Sequence, residues 1–277
     1  MNANRCPTDH VVRAVTNRWP DIGAEWAHVV PTELEQLCAC LGAEPVRTLP
    51  ARYGFVVAVT SSNGPMILRA TPDPGGAVQG EVSRALAQLG AGPKIYDLVV
   101  TETGTWTVME QIDPGTRLDR TDLSFDLVHA IVNVLRRIDA QPAPVSDMRR
   151  IDQWLRERLD DDQLTDLAPG RLGASVAERQ QALRVLDHLS DQPDRQNLCH
   201  GDLHPGNVLV RADGRLFLID PRGVSGEVAY DVAVLALKAV RGAPAAARAV
   251  AVQLSTCVGV DPQRVQAWVR VASAARV

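Results

Sequence analysis

Long apolar runs, a cysteine framework and a surplus of basic charge are all missing from this 277-residue sequence. No stretch approaches the roughly 20 consecutive apolar residues that span a bilayer, so a membrane is not an expected partner. The opening MNANRCPTDH lacks the apolar core of a cleaved leader. Five cysteines, Cys6, Cys38, Cys40, Cys199 and Cys257, form no C-x-x-C pair and no even-numbered set, which fits reduced thiols and a cytoplasmic setting. With 29 Lys+Arg against 33 Asp+Glu the net charge is −4, which argues against a broad basic face for nucleic acid. The mild acidic excess is compatible with a cationic small molecule. No G-x-x-x-x-G-K-[ST] occurs, so a Walker-type phosphate loop is excluded.

What is present is an ordinary globular composition, 45% hydrophobic and 22% charged, over a length that suggests two lobes. Residues 11–45 read as two helices broken at Pro20 and Pro31, with Leu34, Leu37 and Leu41 at helical spacing. From Val46 to Ile112 the pattern is β-rich. The runs 55–59 and 66–68 flank Asn63-Gly64, a hairpin signal, and a helix near 79–89 precedes strands near 94–100 and 105–112. Beyond Leu123 the chain reads as helical near 123–140, 148–159 and 175–189, and again from about 229. One β interlude, 198–220, interrupts it. The division expected is a nucleotide-binding lobe at 1–113 and a catalytic, substrate-binding lobe at 114–277.

The chemistry concentrates in LCHGDLHPGNVLVRADGRLFLIDPRGVSGEVAYD, residues 198–231. Asp213-Gly214 suits a two-residue turn, which pairs Val210 with Phe217, Val208 with Ile219 and Asn207 with Asp220. That ladder sets an amide oxygen and a carboxylate about 4.5–5.5 Å apart at Cα. Two hard oxygen ligands are what Mg²⁺ on a nucleotide phosphate requires. Asp202 stands five residues before Asn207, where a carboxylate can accept the proton of an attacking hydroxyl.

The run His200-Gly201-Asp202-Leu203-His204-Pro205-Gly206-Asn207, with Ile219-Asp220-Pro221 after the hairpin, resembles the catalytic segment of the aminoglycoside phosphotransferase family. The resemblance implies an α+β, bilobal protein-kinase-like fold with a small β-rich N-terminal lobe and a larger, mainly helical C-terminal lobe. It implies Asp202 as catalytic base, Asn207 and Asp220 as Mg²⁺ ligands, and ATP or GTP as phosphoryl donor. Arg69 ends the strand where the family carries a phosphate-contacting Lys, and Glu81 would be its ion-pair partner. Backbone groups around Glu110 and Ile112 would meet the nucleotide base. IDPRGVSGEVAYD, Val108–Gly115 and Ala24-Glu25-Trp26 look most like the streptomycin 6-kinase and hydroxyurea phosphotransferase branch. The acceptor implied is therefore a cationic antibiotic of the streptomycin type.

Other readings stand beside this one. His200, Asp202 and His204 alternate as the ligands of a metal-dependent hydrolase could. A basic cyclic peptide or a cellular metabolite is an alternative acceptor, and the Arg69 departure admits a nucleotide-binding protein without transfer. Asp231 reads either as a helix-start acid or as a buttress of the catalytic loop. Asp160, Asp161, Glu227 and Asp231 are candidates for holding a cationic acceptor, although the 160–162 run also suits a solvated helix end.

Overall fold

Two helices open the computed structural model, which describes residues 5–121, 125–164, 166–167, 170–190, 196–240 and 244–277. The Thr8 hydroxyl caps α1 (Asp9–Arg18) by accepting from the Val11 N–H. The second helix, α2 (Gly23–Leu41), ends at Gly42 in the left-handed region, φ 58°. It runs through Pro31, where the sequence suggested a break. Trp26, Val30, Leu34 and Cys38 recur every fourth residue and are buried, and that stripe outweighs one lost backbone hydrogen bond. A Cβ on Gly23 would stand 2.9 Å from the Val15 carbonyl, so glycine is what lets α1 and α2 approach.

Five antiparallel strands follow: β1 (Ala43–Leu49), β2 (Phe55–Ser61), β3 (Gly64–Thr71), β4 (Ile95–Val100) and β5 (Thr105–Glu110), in the order β1-β2-β3-β5-β4. The β2–β3 hairpin pairs Ser61 with Gly64, so Ser62 and Asn63 form its tip and Gly64 opens the return strand. Phe55, Val57, Leu68, Trp106 and Val108 form a core with the buried stripe of α2. Each such side chain contributes about 1.5–3 kcal/mol by burial. Glu33 of α2 ties into the sheet, accepting from Trp106 Nε1 at 2.8 Å and from the Thr103 hydroxyl at 3.1 Å.

This first unit comprises residues up to Gly80 and Pro93–Gln111. Helix α3 (Gly76–Gln88) gives it only its opening turn, because Glu81–Gly92 groups with the second unit. The second unit continues from Ile112, two residues before the division at 113/114.

In chain order the second unit adds β6 (Pro114–Arg117), α4 (Phe125–Ile138), α5 (Ile151–Asp160), α6 (Val176–Ser190) and β7 (Asn197–Leu198). Then come β8 (Val208–Arg211), β9 (Leu216–Leu218), β10 (Ser225–Gly226), α7 (Val228–Ala239), α8 (Pro244–Val258) and α9 (Pro262–Ala274). Strands β6, β8 and β9 make one small sheet, and β7 and β10 another. Every residue of α7 from Val228 to Leu237 is buried, the mark of a central helix. Tyr230 meets Trp268 of α9 edge-to-face at 5.3 Å between ring centroids.

Candidate active site

Burial of the 198–204 segment begins with β7, which pairs with β10. At Gly201 the chain turns with φ 76°, and a Cβ there would come within 2.6 Å of Val224. His200 is fully buried beside this turn. Its Nε2 meets the Ile219 carbonyl at 2.9 Å and its Nδ1 accepts from the Asp202 N–H at 3.3 Å. Those partners assign a neutral ring with the proton on Nε2. Burial lowers its pKa to about 4, against the pull of the Asp202 charge. His204 Nδ1 accepts from Gly206 N–H at 3.0 Å and caps a short 3-10 turn. Both ring nitrogens of His200 are thus used within the protein, which removes it as a hydrolase metal ligand. Among the described residues no three His, Cys, Asp or Glu side chains gather as a metal site.

Asp231 lies beneath the loop and is fully buried. Its two oxygens accept from the His200 N–H at 2.8 Å and the Gly201 N–H at 2.9 Å. Burial pushes its pKa up to about 7, while those two bonds pull it down. It is a support of the loop, with no surface for an acceptor.

Asp202 emerges from this frame with 29% of its side chain exposed. Burial raises its carboxyl, but the Arg222 guanidinium 2.8 Å away, with the His204 and Lys238 charges, holds it below the ordinary carboxylate value. Arg222 also donates from Nε to the Gly201 carbonyl at 3.1 Å and lies 4.1 Å over the Trp154 ring. Sequence reasoning missed Arg222. Only its place two residues after Asp220 could have drawn attention to it.

The hairpin forms, but one residue out of the expected register. Val208 pairs with Leu218, Leu209 with Phe217 and Val210 with Leu216. Arg211 accepts from Gly214 N–H at 3.0 Å and donates to the Arg215 carbonyl at 2.9 Å, closing a three-residue loop whose last member, Gly214, has φ 79°. The Asp213 carboxylate accepts from Arg215 N–H at 3.1 Å and fixes that longer turn. Asn207 therefore faces Ile219, whose N–H donates to its carbonyl at 3.0 Å, and Asp220 stands one residue beyond. There the strand ends. Asp220 has φ 59°, a left-handed conformation that aspartate tolerates better than most residues. Asp220 directly follows Ile219, whose carbonyl meets His200 Nε2, while the Nδ1 of the same ring accepts from the Asp202 N–H. Asn207 is 7% exposed and donates from Nδ2 to the Asp202 carbonyl at 3.1 Å, leaving Oδ1 as its acceptor oxygen. One amide oxygen and one carboxylate are a donor set that suits Mg²⁺.

In the first unit Arg69 donates to Gln79 Oε1 at 3.2 Å, and Gln79 donates to Asp73 at 3.0 Å. Glu81, the expected partner of Arg69, pairs with Arg84 at 2.6 Å. Helix geometry explains the exchange, since residues three apart share a face. Glu110 accepts from the Lys94 N–H at 3.1 Å, and Ile112, counted with the second unit, is buried.

Of the acids expected at an acceptor rim, Glu227 and Asp161 are engaged within the protein. Glu227 is buried; Arg264 Nε reaches both its oxygens at 2.7 Å and Trp268 Nε1 donates to it at 2.5 Å. Asp160 ends α5, exposed, and Asp161 caps that helix and accepts from Gln163 N–H at 2.7 Å. Asp162 pairs with Arg179.

The family model of the phosphotransferase enzyme family (APH) matches residues 45–268. The chain belongs to that family. Solved structures of similar fold include an aminoglycoside-3'-phosphotransferase of type VIII, at TM-score 0.62 and 20% identity, covering 89% of this chain and 99% of that one. A choline kinase from Streptococcus pneumoniae matches at TM-score 0.62 and 19% identity over 87% and 85% of the two chains. A spectinomycin phosphotransferase, solved with ADP and spectinomycin, matches at TM-score 0.57 and 17% identity over 86% and 83%. No curated protein sequence matches. The fold is kinase-like, with an antiparallel sheet in the first unit and a mainly helical second unit, and the chain is a phosphotransferase by family. Among the described residues no helix is long and apolar enough to cross a membrane.

Proposed function

We propose that this protein transfers the γ-phosphoryl group of ATP or GTP to a hydroxyl of a small molecule, with Asp202 as the base. The observation that carries the reading is the construction around Asp202. A buried histidine and a buried aspartate fix the loop from below, and the one carboxylate left partly exposed on it is Asp202. Transfer forms a bond from the acceptor oxygen to the γ-phosphorus and breaks that phosphorus's bond to the bridging oxygen. The nucleoside diphosphate leaves, and the hydroxyl proton passes to Asp202. Asn207 Oδ1 and the Asp220 carboxylate would hold Mg²⁺, which when bound neutralises phosphate charge. Arg69, braced by Gln79, is assigned to nucleotide phosphate, and backbone groups near Glu110 and Ile112 to the base.

The ADP in one structural relative supports a nucleotide donor, and aminoglycosides, spectinomycin and choline in their names support a small-molecule acceptor. The streptomycin-type acceptor rests on sequence resemblance alone. Glu227 and Asp231, two of the acids that would have met its charge, already serve Arg264 and the backbone of the catalytic loop.

Nucleotide titration with and without Mg²⁺ tests the reading. Asp220→Ala should abolish the Mg²⁺-dependent part of nucleotide binding and lower transfer by at least about a hundredfold. Full metal-dependent binding and activity in that variant would remove Asp220 from the site.

A further inference from the structure

Gly206 lies between Pro205 and the proposed Mg²⁺ ligand Asn207, in the short turn that follows Asp202. Its backbone is not in the left-handed region, so the lack of a side chain there serves space and not conformation. A Cβ on Gly206 would collide with Arg117 Nη2 and would stand 2.8 and 2.9 Å from Cε1 and Nδ1 of His204. A guanidinium and an imidazole thus both crowd one bare Cα.

Arg117 comes from outside the catalytic segment. It ends β6, which pairs with β8 so that Arg117 faces Leu209, two residues beyond Asn207. The Arg117 carbonyl accepts from the Thr121 hydroxyl at 3.1 Å, and the side chain reaches from this anchored backbone across Gly206. The placement is costly. Nε is buried with no hydrogen-bond partner among the described residues, and Asp119 Oδ1, at 3.7 Å, is too far to accept from it. Local rules broken in this way are expected where function requires it. The turn is already tied to its own segment: Gly206 N–H donates to His204 Nδ1 at 3.0 Å, Asn207 N–H to the His204 carbonyl at 2.8 Å, and Asn207 Nδ2 to the Asp202 carbonyl at 3.1 Å. Those bonds hold it from the residues before it; Arg117 bears on it from β6.

We propose that Arg117 is a positioning residue for Asn207. Lying across Gly206, it restrains the 205–207 turn, so that Asn207 Oδ1 is presented to Mg²⁺ from one fixed setting. The proposal rests on the phosphotransfer reading above, in which Asn207 and Asp220 hold the metal. Direct contact with nucleotide phosphate is the other role that suits a guanidinium beside this loop, and the test separates the two.

Binding of a non-hydrolysable ATP analogue is titrated against Mg²⁺ and, separately, measured in EDTA. Arg117→Ala should raise the Mg²⁺ concentration for half-maximal binding by at least about tenfold, the scale on which removing a metal ligand's supporting group weakens a metal site. Binding in EDTA should stay within about twofold of the parent. Gly206→Ala, whose Cβ must push Nη2 aside, should shift the Mg²⁺ midpoint in the same direction with Arg117 still present. The double variant should add little to the larger single effect, because both substitutions remove one contact. An unmoved Mg²⁺ midpoint in Arg117→Ala would overturn the proposal and leave packing as the role of the side chain. Weakening in EDTA as large as that in Mg²⁺ would overturn it in favour of a phosphate contact, and fully additive shifts in the double variant would remove the shared contact on which it stands. Absence of any Mg²⁺-dependent binding in the parent protein would instead overturn the phosphotransfer reading, and this proposal with it.

Discussion

Arg222 grips the Asp202 loop at two points, the carboxylate at 2.8 Å and the Gly201 carbonyl at 3.1 Å, with its back against Trp154. The proposed base is therefore aimed by a guanidinium fork supported on an aromatic face. A group so held is well oriented but less basic than a free carboxylate.

Removing the fork should show in the pH profile. Burial alone raises the Asp202 carboxyl, and Arg222 is the largest influence holding it down. Arg222→Ala should therefore move the acidic limb of kcat/KM to higher pH and lower kcat, while Arg222→Lys should hold the limb near its original place. An unmoved limb in Arg222→Ala would detach Arg222 from the base.

Glu227 should behave as a core residue. Its carboxylate is buried between Arg264 and Trp268. Glu227→Gln leaves the Arg264 charge without its counter-ion, which costs about 3–5 kcal/mol when a buried pair is broken. Chemical denaturation should register that loss, and acceptor KM in the folded fraction should stay unchanged. A normal denaturation midpoint with a raised acceptor KM would return Glu227 to the substrate site.

Acid should destabilise the fold through His200. Its folded pKa of about 4 lies below the ordinary 6.5, so the folded state binds fewer protons between those values. The stability it contributes is present above pH 6.5 and is lost as pH falls through 4, about 3 kcal/mol over the full range. Asp231, pushed up to about 7, works in the opposite sense, so the comparison must isolate the histidine. His200→Gln should flatten the loss between pH 6.5 and 4 relative to the parent; parallel curves would contradict the buried neutral ring.

Much of this molecule was legible in residue order, and what was not has identifiable causes. Strand and helix positions followed from periodicity, but Pro31 misled because a buried stripe across α2 overrides a local breaker. The hairpin was evident from Asp213-Gly214, yet its register depends on whether Gly214 ends a loop of two residues or three. Glu81 was chosen by position in a helix whose start could not be fixed; Gln79 faces Arg69 instead. Asp231 could be given two roles because nothing local says what lies above a helix start. Arg222 and Trp154 meet only through tertiary folding, so no spacing rule finds them.

The most direct test of the account is a single-turnover comparison of Asp202→Asn with the parent protein at saturating nucleotide, Mg²⁺ and acceptor. The substitution keeps the side-chain shape and removes the charge and the proton acceptor. The account predicts a fall in phosphotransfer of at least about a hundredfold, the usual scale of a general base, with nucleotide affinity nearly unchanged. Phosphotransfer within a few-fold of the parent would contradict it.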